Sequence, residues 1–329
     1  MLDHFGVIPD AWDRRTIGSL GVQCFFAMSG WLIGGILLRS DRSSLPKFFF
    51  GRVTRIWIPY FAALVLLYGS SLIKEGPEAF LRWWPFLVFD STFTRWWFAE
   101  YPSLAMADSL MPFRGTGWHF WSISVEEQFY LAAPLIITLV RYGRSPLLWG
   151  LTAAVLTLTQ SGFAAVAVGV FAATLQQEFP YWYLRPMATV LIAAATALCA
   201  VLLFGLHAKL MYPLVGCGVM LLSAIPGPRF AFAEFVGGIS YPLYLNHWIG
   251  LFVAASIVKR GSLPGDWQGP LGYVLAVIVA ALLYVAIDRV VMRHRSTFYT
   301  ERVGRWCTVG AYVNMAAGVV FGVILFALR

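Results

Sequence analysis

Apolar residues fall in blocks of roughly twenty along the chain, and short polar segments separate the blocks. A helix needs about twenty mostly apolar residues to cross the hydrocarbon core of a bilayer. The pattern therefore predicts an all-α, polytopic transmembrane helical bundle of about 10–11 spans. A half-span at residues 1–8 predicts that the first helix is incomplete. The complete spans are expected at residues 21–38, 56–73, 120–140, 147–160, 162–175, 187–205, 209–225, 232–258, 270–287 and 307–328.

The composition also indicates a lipid solvent. Hydrophobic residues make up 59% of the chain and charged residues only 12%, whereas a soluble domain carries about 25% charged residues. No hydrophilic stretch is long enough to form a soluble domain. The longest one, residues 74–117, is rich in Trp, Phe and Pro, and we expect it to form a loop that lies against the membrane.

The basic residues indicate topology rather than nucleic-acid binding. The net charge is +8, but the arginines lie in short loops between apolar spans rather than on one polar face. Cytoplasmic loops of membrane proteins carry an excess of Lys and Arg. We therefore expect an integral membrane protein, with residues 74–118 outside and no nucleic-acid partner. The loop that we place in the cytoplasm contains Arg39, Arg42, Lys47, Arg52 and Arg55 against Asp41 alone.

Ionisable groups at membrane depth are costly to hold there, so each one is a candidate functional position. The first is His4, because an imidazole titrates near neutrality and can accept a proton from an attacking hydroxyl. The alternative is an ordinary histidine on a frayed chain end. The five histidines and four cysteines lack ligand spacing, so we expect no metal site.

The second candidate lies at the cytoplasmic end of the span 56–73. Arg52 and Arg55 are three residues apart, so on an α-helix they would share a face. Two guanidinium groups there would suit the phosphates of a nucleotide-like donor such as coenzyme A. The alternative is anchoring of the helix end to anionic lipid.

The third candidate leads into the span 120–140. At 100° per residue, His119, Glu126 and Tyr130 fall within about 40° of one another on a helix. Glu126 and Glu127 enter an apolar helix side by side, which is costly unless they are paired or lie in a wet cavity. The alternative is an interfacial helix start with Ser122 as its N-cap and an aromatic belt around it.

The fourth candidate lies in the middle of the span 232–258. His247 and Tyr244 are three residues apart and therefore adjacent on the helix surface. Tyr241 belongs to the same polar segment. The alternative here is a buried histidine that only satisfies its hydrogen bonds.

Four motifs follow one another along the chain. Residues 21–33 are GVQCFFAMSGWLI, residues 52–59 are RVTRIWIP, residues 121–131 are WSISVEEQFYL and residues 239–247 are ISYPLYLNH. In this order they resemble GVDxFFxxSGxLI, RxxRI-x-P, WSLSVEEQFYL and SYxLYLxH of the acyltransferase-3 family of integral membrane proteins. Members of this family acylate cell-surface polysaccharides, antibiotics and related acceptors. Asp288 occupies the place of the acidic residue that closes the last family helix.

The resemblance implies roles for particular residues and a domain organisation. The family domain would cover residues 1–295, and residues 296–329 would be a linker and an extra transmembrane helix. In the family an Arg precedes the catalytic His by eleven positions, which would place it before Met1. We therefore expect either an upstream start or a truncated paralogue. The implied residues are His4, Glu126 and Glu127 as catalytic, Arg52 and Arg55 as donor-binding, and Ser122, Tyr130, Tyr241 and His247 as polar groups for substrate or structure.

The resemblance implies an O-acyltransferase that moves an acyl group from cytosolic acyl-CoA to a hydroxyl of a sugar, exopolysaccharide or other cell-surface glycan. Acetyl-CoA is the expected donor substrate, with no permanently bound cofactor, and the expected partners are membrane lipid and polysaccharide-assembly proteins. His4 would act as general base in a polar cavity open to the cytoplasm. Two alternatives stay open: a carrier of a glycan or lipid-linked precursor, and an inactive scaffold paralogue. The chain lacks the internal repeat that many carriers have.

Overall fold

A computed structural model describes residues 13–95, 110–228 and 230–327 of the 329-residue chain. All regular secondary structure in these ranges is helical, which confirms the prediction of an all-α fold. Two π-helical turns, at Val53–Trp57 and Tyr284–Asp288, each join two α-helices. The thirteen α-helices of these ranges are α1 (Arg14–Leu38), α2 (Leu45–Arg52), α3 (Ile58–Glu75), α4 (Glu78–Ser91), α5 (Trp121–Leu139), α6 (Pro146–Leu158), α7 (Ala164–Glu178), α8 (Pro186–Leu206), α9 (Tyr212–Ser223), α10 (Ala231–Arg260), α11 (Gln268–Leu283), α12 (Arg289–Phe298) and α13 (Glu301–Ala327).

Six helical segments of the described ranges are long and apolar enough to cross a membrane. Their exposed side chains are largely apolar as well. On α8, for example, Leu191, Leu198 and Val201 are exposed, as expected for a surface that contacts lipid tails. The chain is therefore an integral, polytopic membrane protein. The six segments are Thr16–Leu38, Arg42–Glu75, Pro186–Leu206, Ala231–Arg260, Gly265–Phe298 and Glu301–Ala327.

The other predicted spans also coincide with helices, but these are shorter or more polar. α6 has 13 residues and α9 has 12. At 1.5 Å per residue, 13 residues span about 20 Å, less than the hydrocarbon core of about 30 Å. α5 has 19 residues but contains Glu126 and Glu127. The number of about 10–11 spans stays a prediction.

The prediction of a loop over residues 74–117 is wrong for its first part, because α4 occupies Glu78–Ser91. The aromatic residues there are spaced for one helix face rather than for a membrane-surface loop. Glu78 lies in the first turn, where a negative charge favours the helix dipole. The buried face of α4 consists of Ala79, Trp83, Phe86, Phe89 and Asp90.

The chain divides into two compact units that alternate along the sequence. Within the described ranges, the first unit comprises residues 43–95, 110–128 and 230–327, and the second comprises residues 13–42 and 129–228. In the first unit, α10 and α11 pack along their length, α3 packs against α4, and α13 packs against α2. The extra helix that the sequence predicts is thus part of this unit. The division does not test the predicted boundary at residue 295, which stays a prediction.

Glycines set the helix packing of the second unit, where α1 packs against α7 and α9. The spacing of Gly30 and Gly34 predicts close helix approach, and this is confirmed. A Cβ on Gly30 would overlap the carbonyl of Val166 on α7, and a Cβ on Gly169 would overlap the carbonyl of Ala27 on α1. The two helices therefore meet backbone to backbone, and only glycine leaves room for that contact.

We expect Gly30→Ala to destabilise the protein by about 1–3 kcal/mol, because the added methyl group forces a backbone shift. The control is Gly21→Ala, since Gly21 lies on the same helix with no atom within 4 Å of an added Cβ. Thermal unfolding of the purified protein in detergent measures both. Equal melting temperatures for the two variants would contradict the packing argument.

Candidate functional site

Two histidines meet in the first unit. His119 precedes α5, and His247 lies on α10, with ring centroids 4.8 Å apart. His119 Nε2 lies 3.3 Å from the Leu245 carbonyl oxygen, and His247 Nδ1 lies 2.9 Å from the Tyr244 carbonyl oxygen. A carbonyl only accepts, so each of these ring nitrogens is placed to donate a hydrogen bond.

A glycine turn places His119 there. Gly117 has φ +92°, which L residues rarely adopt, and a Cβ on it would lie 2.6 Å from Leu67 Cδ2. Residues Trp118–Phe120 then form a 3₁₀ turn before α5 begins. The Phe120 ring packs edge-on against the Tyr60 ring of α3, with centroids 5.3 Å apart. The turn is therefore wedged against α3 on one side and α10 on the other.

Ser122 and Tyr244 form hydrogen bonds beside the two histidines. The Tyr244 hydroxyl donates to the His119 carbonyl oxygen at 2.6 Å and lies 2.5 Å from Ser122 Oγ. Ser122 is the second residue of α5, so it is not an N-cap, and the alternative reading of this serine as a cap is wrong. These contacts link the start of α5 to the middle of α10, across 122 positions of sequence.

The two glutamates of α5 are both buried, at 1% exposure for Glu126 and 4% for Glu127. Trp57 Nε1 donates to Glu127 Oε2 at 2.8 Å, and the charge of Arg52 acts on the same carboxyl group. Glu126 is close enough for its charge to act on Glu127 and on Tyr244. No described residue donates a hydrogen bond to Glu127 Oε1, although this oxygen is buried. Buried polar atoms of this kind are rare and call for an explanation.

The two arginines do not share an α-helical face, so that prediction is wrong. Arg52 ends α2, and Arg55 lies in the π-helical turn Val53–Trp57, where the spacing assumed for an α-helix does not apply. Their charges act on different acids, Arg52 on Glu127 and Arg55 on Asp288. Single π-helical turns often occur at functional sites.

Tyr241 supports this π-helical turn. Its hydroxyl donates to the Ile56 carbonyl oxygen at 3.2 Å. A π-helical turn displaces carbonyl groups from their α-helical partners, so a side-chain donor from α10 stabilises it. Tyr241, Arg52, Arg55, Glu127 and His247 all belong to the first unit.

One other predicted residue, Tyr130, is not brought into this group. His119, Glu126 and Tyr130 do not lie on one helix face, because α5 begins at Trp121 and His119 lies in a 3₁₀ turn with about three residues per turn. Tyr130 belongs to the second unit, where its hydroxyl donates to Ser29 Oγ at 3.2 Å. His4 lies outside the described residues.

Sequence reasoning missed a buried ion pair next to this group. Asp90 and Arg95 are 0% and 1% exposed and meet at 2.5 Å. The Tyr68 hydroxyl donates to Asp90 Oδ2 at 2.7 Å, and Arg95 Nη1 donates to the Gly117 carbonyl oxygen at 2.8 Å. Burial raises the pKa of Asp90 to about 6, against the opposing effect of the Arg95 charge. The signal in the sequence was an acid and a base five residues apart among aromatic residues.

A cavity of about 390 Å³ lies in the second unit. Its walls include Trp31, Arg39 and Gln176, and none of the predicted site residues lines it. The polar cavity expected around the predicted site residues therefore stays a prediction. Among the described residues, no group of three His, Cys, Asp or Glu side chains is placed to hold a metal ion.

Comparison with known proteins identifies a family. A family described as an acyltransferase domain matches residues 1–289, and this is the family that the four motifs resemble, so that expectation is confirmed. No solved structure matches the chain.

Two relatives come from Staphylococcus aureus. A protein of strain COL named "Putative O-acetyltransferase" is 29% identical over 149 residues, which is 42% of this chain and 24% of the relative. The O-acetyltransferase OatA of strain NCTC 8325 / PS 47 is 28% identical over 135 residues, covering 39% of this chain and 22% of OatA. The match thus spans less than a quarter of the length of either relative.

We expect Arg95→Met to cost about 3–5 kcal/mol, because it leaves the Asp90 carboxylate buried without its partner. The double variant Asp90→Leu/Arg95→Met should lose less than the sum of its single variants. Arg82→Met is the control, since Arg82 pairs with Glu75 but is 35% exposed, and it should cost about 0–1 kcal/mol. Unfolding in detergent measures all of them, and equal losses for Arg95→Met and Arg82→Met would contradict the prediction.

Proposed function

Because the chain belongs to the acyltransferase-3 family of integral membrane acyltransferases, we propose that it is a membrane O-acyltransferase with cytosolic acyl-CoA as donor. The acceptor is a hydroxyl of a sugar, an exopolysaccharide or another cell-surface glycan. The names of the relatives support acetyl as the transferred group. The donor is cytosolic and the acceptor belongs to the cell envelope, so the protein resides in the bacterial plasma membrane, in contact with lipid and with polysaccharide-assembly proteins.

The observation that carries this proposal is the setting of Glu127. One oxygen is fixed by Trp57, and the other is buried without a hydrogen bond from any described residue. A carboxylate held in this way is oriented in advance, and it can accept a hydrogen bond from a hydroxyl or an imidazole that approaches Oε1. Glu127 therefore orients the acceptor or the general base, and Glu126 beside it contributes a second negative charge.

The arginines at the π-helical turn supply the donor side. Arg52 ends α2 and Arg55 follows within the turn, at the end of the segment that the charge pattern places in the cytoplasm. Guanidinium groups bind phosphate with paired hydrogen bonds. Arg52 and Arg55 would therefore hold the nucleotide end of acyl-CoA. Their acids, Glu127 and Asp288, keep them in place before the donor arrives.

The transfer forms an ester bond and breaks a thioester bond. The acceptor oxygen attacks the thioester carbonyl carbon while a general base removes its proton, and the proton ends on the sulfur of the departing coenzyme A. The reaction needs no oxidant or reductant. By the resemblance of the motifs, His4 is the base, and His119 and His247 are further imidazoles in the same unit as Glu127.

The proposal is tested with the purified full chain in lipid nanodiscs, radiolabelled acetyl-CoA and a hydroxyl-bearing oligosaccharide. We expect acceptor-dependent transfer of label with release of coenzyme A thiol, whereas a carrier or an inactive scaffold releases no thiol. His4→Ala should lower kcat by at least about 100-fold, because the acceptor loses its base. The control is His294→Ala, an exposed histidine of α12. Transfer by His4→Ala at the wild-type rate would exclude His4 as the base.

We expect Glu127→Gln to lower kcat by about 100-fold or more, since glutamine keeps an acceptor for Trp57 but loses the negative charge. Trp57→Phe keeps the ring and removes the donor, and should lower kcat by about tenfold, equivalent to about 1.4 kcal/mol. Glu301→Gln, on a side chain that is 80% exposed, is the matched control. The kcat of each variant is measured in the same acetyl-transfer assay. Full activity of Glu127→Gln would show that its charge has no part in the reaction.

A further inference from the structure

The C-terminal helix α13 lies beyond residues 1–289, the part of the chain that matches the family. We propose that α13 is a positioning element for Glu127, which it reaches through the turn at residues 91–95. We name these residues the 91–95 turn. The inference rests on the proposed function only in its claim that α13 affects the rate of acyl transfer. The chain of contacts itself stands apart from the chemistry and lies within the first unit.

The first link joins α13 to the 91–95 turn. Asn314 Nδ2 donates to the Ser91 carbonyl oxygen at 2.9 Å. One turn further along α13, a Cβ on Gly318 would overlap the Thr92 hydroxyl and lie 2.7 Å from Thr94 Cγ2. α13 thus donates a hydrogen bond to the turn from Asn314, and its backbone lies close to the turn at Gly318.

The turn itself is held in an uncommon conformation. Phe93 has φ +56°, which is rare for a residue other than glycine, and its side chain is 1% exposed. The hydroxyls of Thr92 and Thr94 are 2.9 Å apart and bond to each other across it. A bulky residue stays in such a conformation only when its surroundings enforce it. The contacts of Asn314 and Gly318 are part of these surroundings.

The second link joins the turn to Trp57, the hydrogen-bond donor of Glu127, and to Gln128, the residue that follows Glu127 on α5. The Phe93 ring packs against the Trp57 ring, with centroids 5.1 Å apart, and Trp57 is the hydrogen-bond donor to Glu127. The Phe93 carbonyl oxygen accepts a hydrogen bond from Gln128 Nε2 at 2.9 Å. A shift of the turn would therefore move both Trp57 and Gln128, and with them the surroundings of Glu127.

The same turn also supports the segment that brings His119 into contact with His247. Arg95, its last residue, donates to the Gly117 carbonyl oxygen, at the start of the 3₁₀ turn that carries His119. α13 thus contacts one turn that supports both Glu127 and His119. This gives a role to a helix for which the family match provides none.

The other end of α13 contacts α2. A Cβ on Gly304 would lie 2.8 Å from the Pro46 carbonyl oxygen, and the rings of Tyr312 and Phe49 pack with centroids 5.6 Å apart. Gly318 lies outside these contacts. Trp57, however, shares the π-helical turn with Arg55, so a shift of the 91–95 turn should affect the binding of the donor as well as the rate of transfer.

The test compares Gly318→Ala with Gly310→Ala. Gly310 lies on the same helix, and an added Cβ there meets no atom within 4 Å. Because an alanine at 318 risks poor folding, Asn314→Ala provides a second variant that removes only a hydrogen bond. Each full chain is purified in nanodiscs and measured for melting temperature, for hydrogen exchange of residues 55–61 and 121–128, and for kcat and KM with acetyl-CoA.

We expect Gly318→Ala and Asn314→Ala to speed exchange in both segments by about fivefold or more through local opening. Their kcat should fall by about tenfold, and KM for acetyl-CoA should rise, because Trp57 shares the π-helical turn with Arg55. Gly310→Ala should match wild type in every measurement.

Unchanged exchange in residues 55–61 and 121–128 of both variants would overturn the inference. A lower melting temperature with a wild-type kcat for the folded protein would overturn it too, because α13 would then be a structural support only. If the wild-type chain transfers no acetyl group, the proposed function fails, and the exchange measurement alone decides whether α13 positions Trp57 and Glu127.

Discussion

Asp90 and Arg95 meet at 2.5 Å where neither side chain reaches solvent. Removing one charge from water without a partner costs several kcal/mol even after relaxation, so the pair forms only if both members arrive together. Its remaining hydrogen bonds go to the Tyr68 hydroxyl and the Gly117 carbonyl. The pair therefore connects α3, α4 and the turn before α5. The position of His119 depends on this connection.

The same constraint explains the rest of the polar group. Glu127 is buried with Trp57 as donor and Arg52 as the nearby positive charge, and Arg55 is matched by Asp288. In an apolar interior these partners satisfy charges that water would otherwise solvate. In each contact the two partners come from different helical segments, so the polar contacts also determine how the helices are placed. The stability of the fold and the proposed chemistry thus depend on the same side chains.

Helix packing in a membrane lacks the hydrophobic driving force that operates in water, and small residues compensate by close van der Waals contact. Gly30 and Gly169 do this between α1 and α7, and Gly318 does it between α13 and the 91–95 turn. The contact at Gly318 differs because it lies against a strained turn that borders Trp57. A packing glycine there has a consequence for the site, whereas the contact of α1 with α7 organises the second unit.

The sequence by itself determined the helices, the membrane environment and the family. Apolar blocks require helices in lipid because every backbone polar group must be satisfied within its own segment. The spacing of Gly30 and Gly34 also predicted a packing face, and the four motifs predicted the acyltransferase family. These features are local, since each depends on residues close together in the chain.

The tertiary structure alone decided which distant side chains meet. His119 and His247 are 128 positions apart, and Trp57 and Glu127 are 70 apart, so no local periodicity indicates either contact. α4 was mistaken for a loop because its aromatic residues suit a membrane surface as well as a buried helix face. Arg52 and Arg55 were assigned one face because a π-helical turn has no simple signature in the sequence. The physical reason is common to all of these cases: a buried charge or imidazole selects its partner by proximity in the folded chain, and sequence spacing gives that proximity only within a single regular helix.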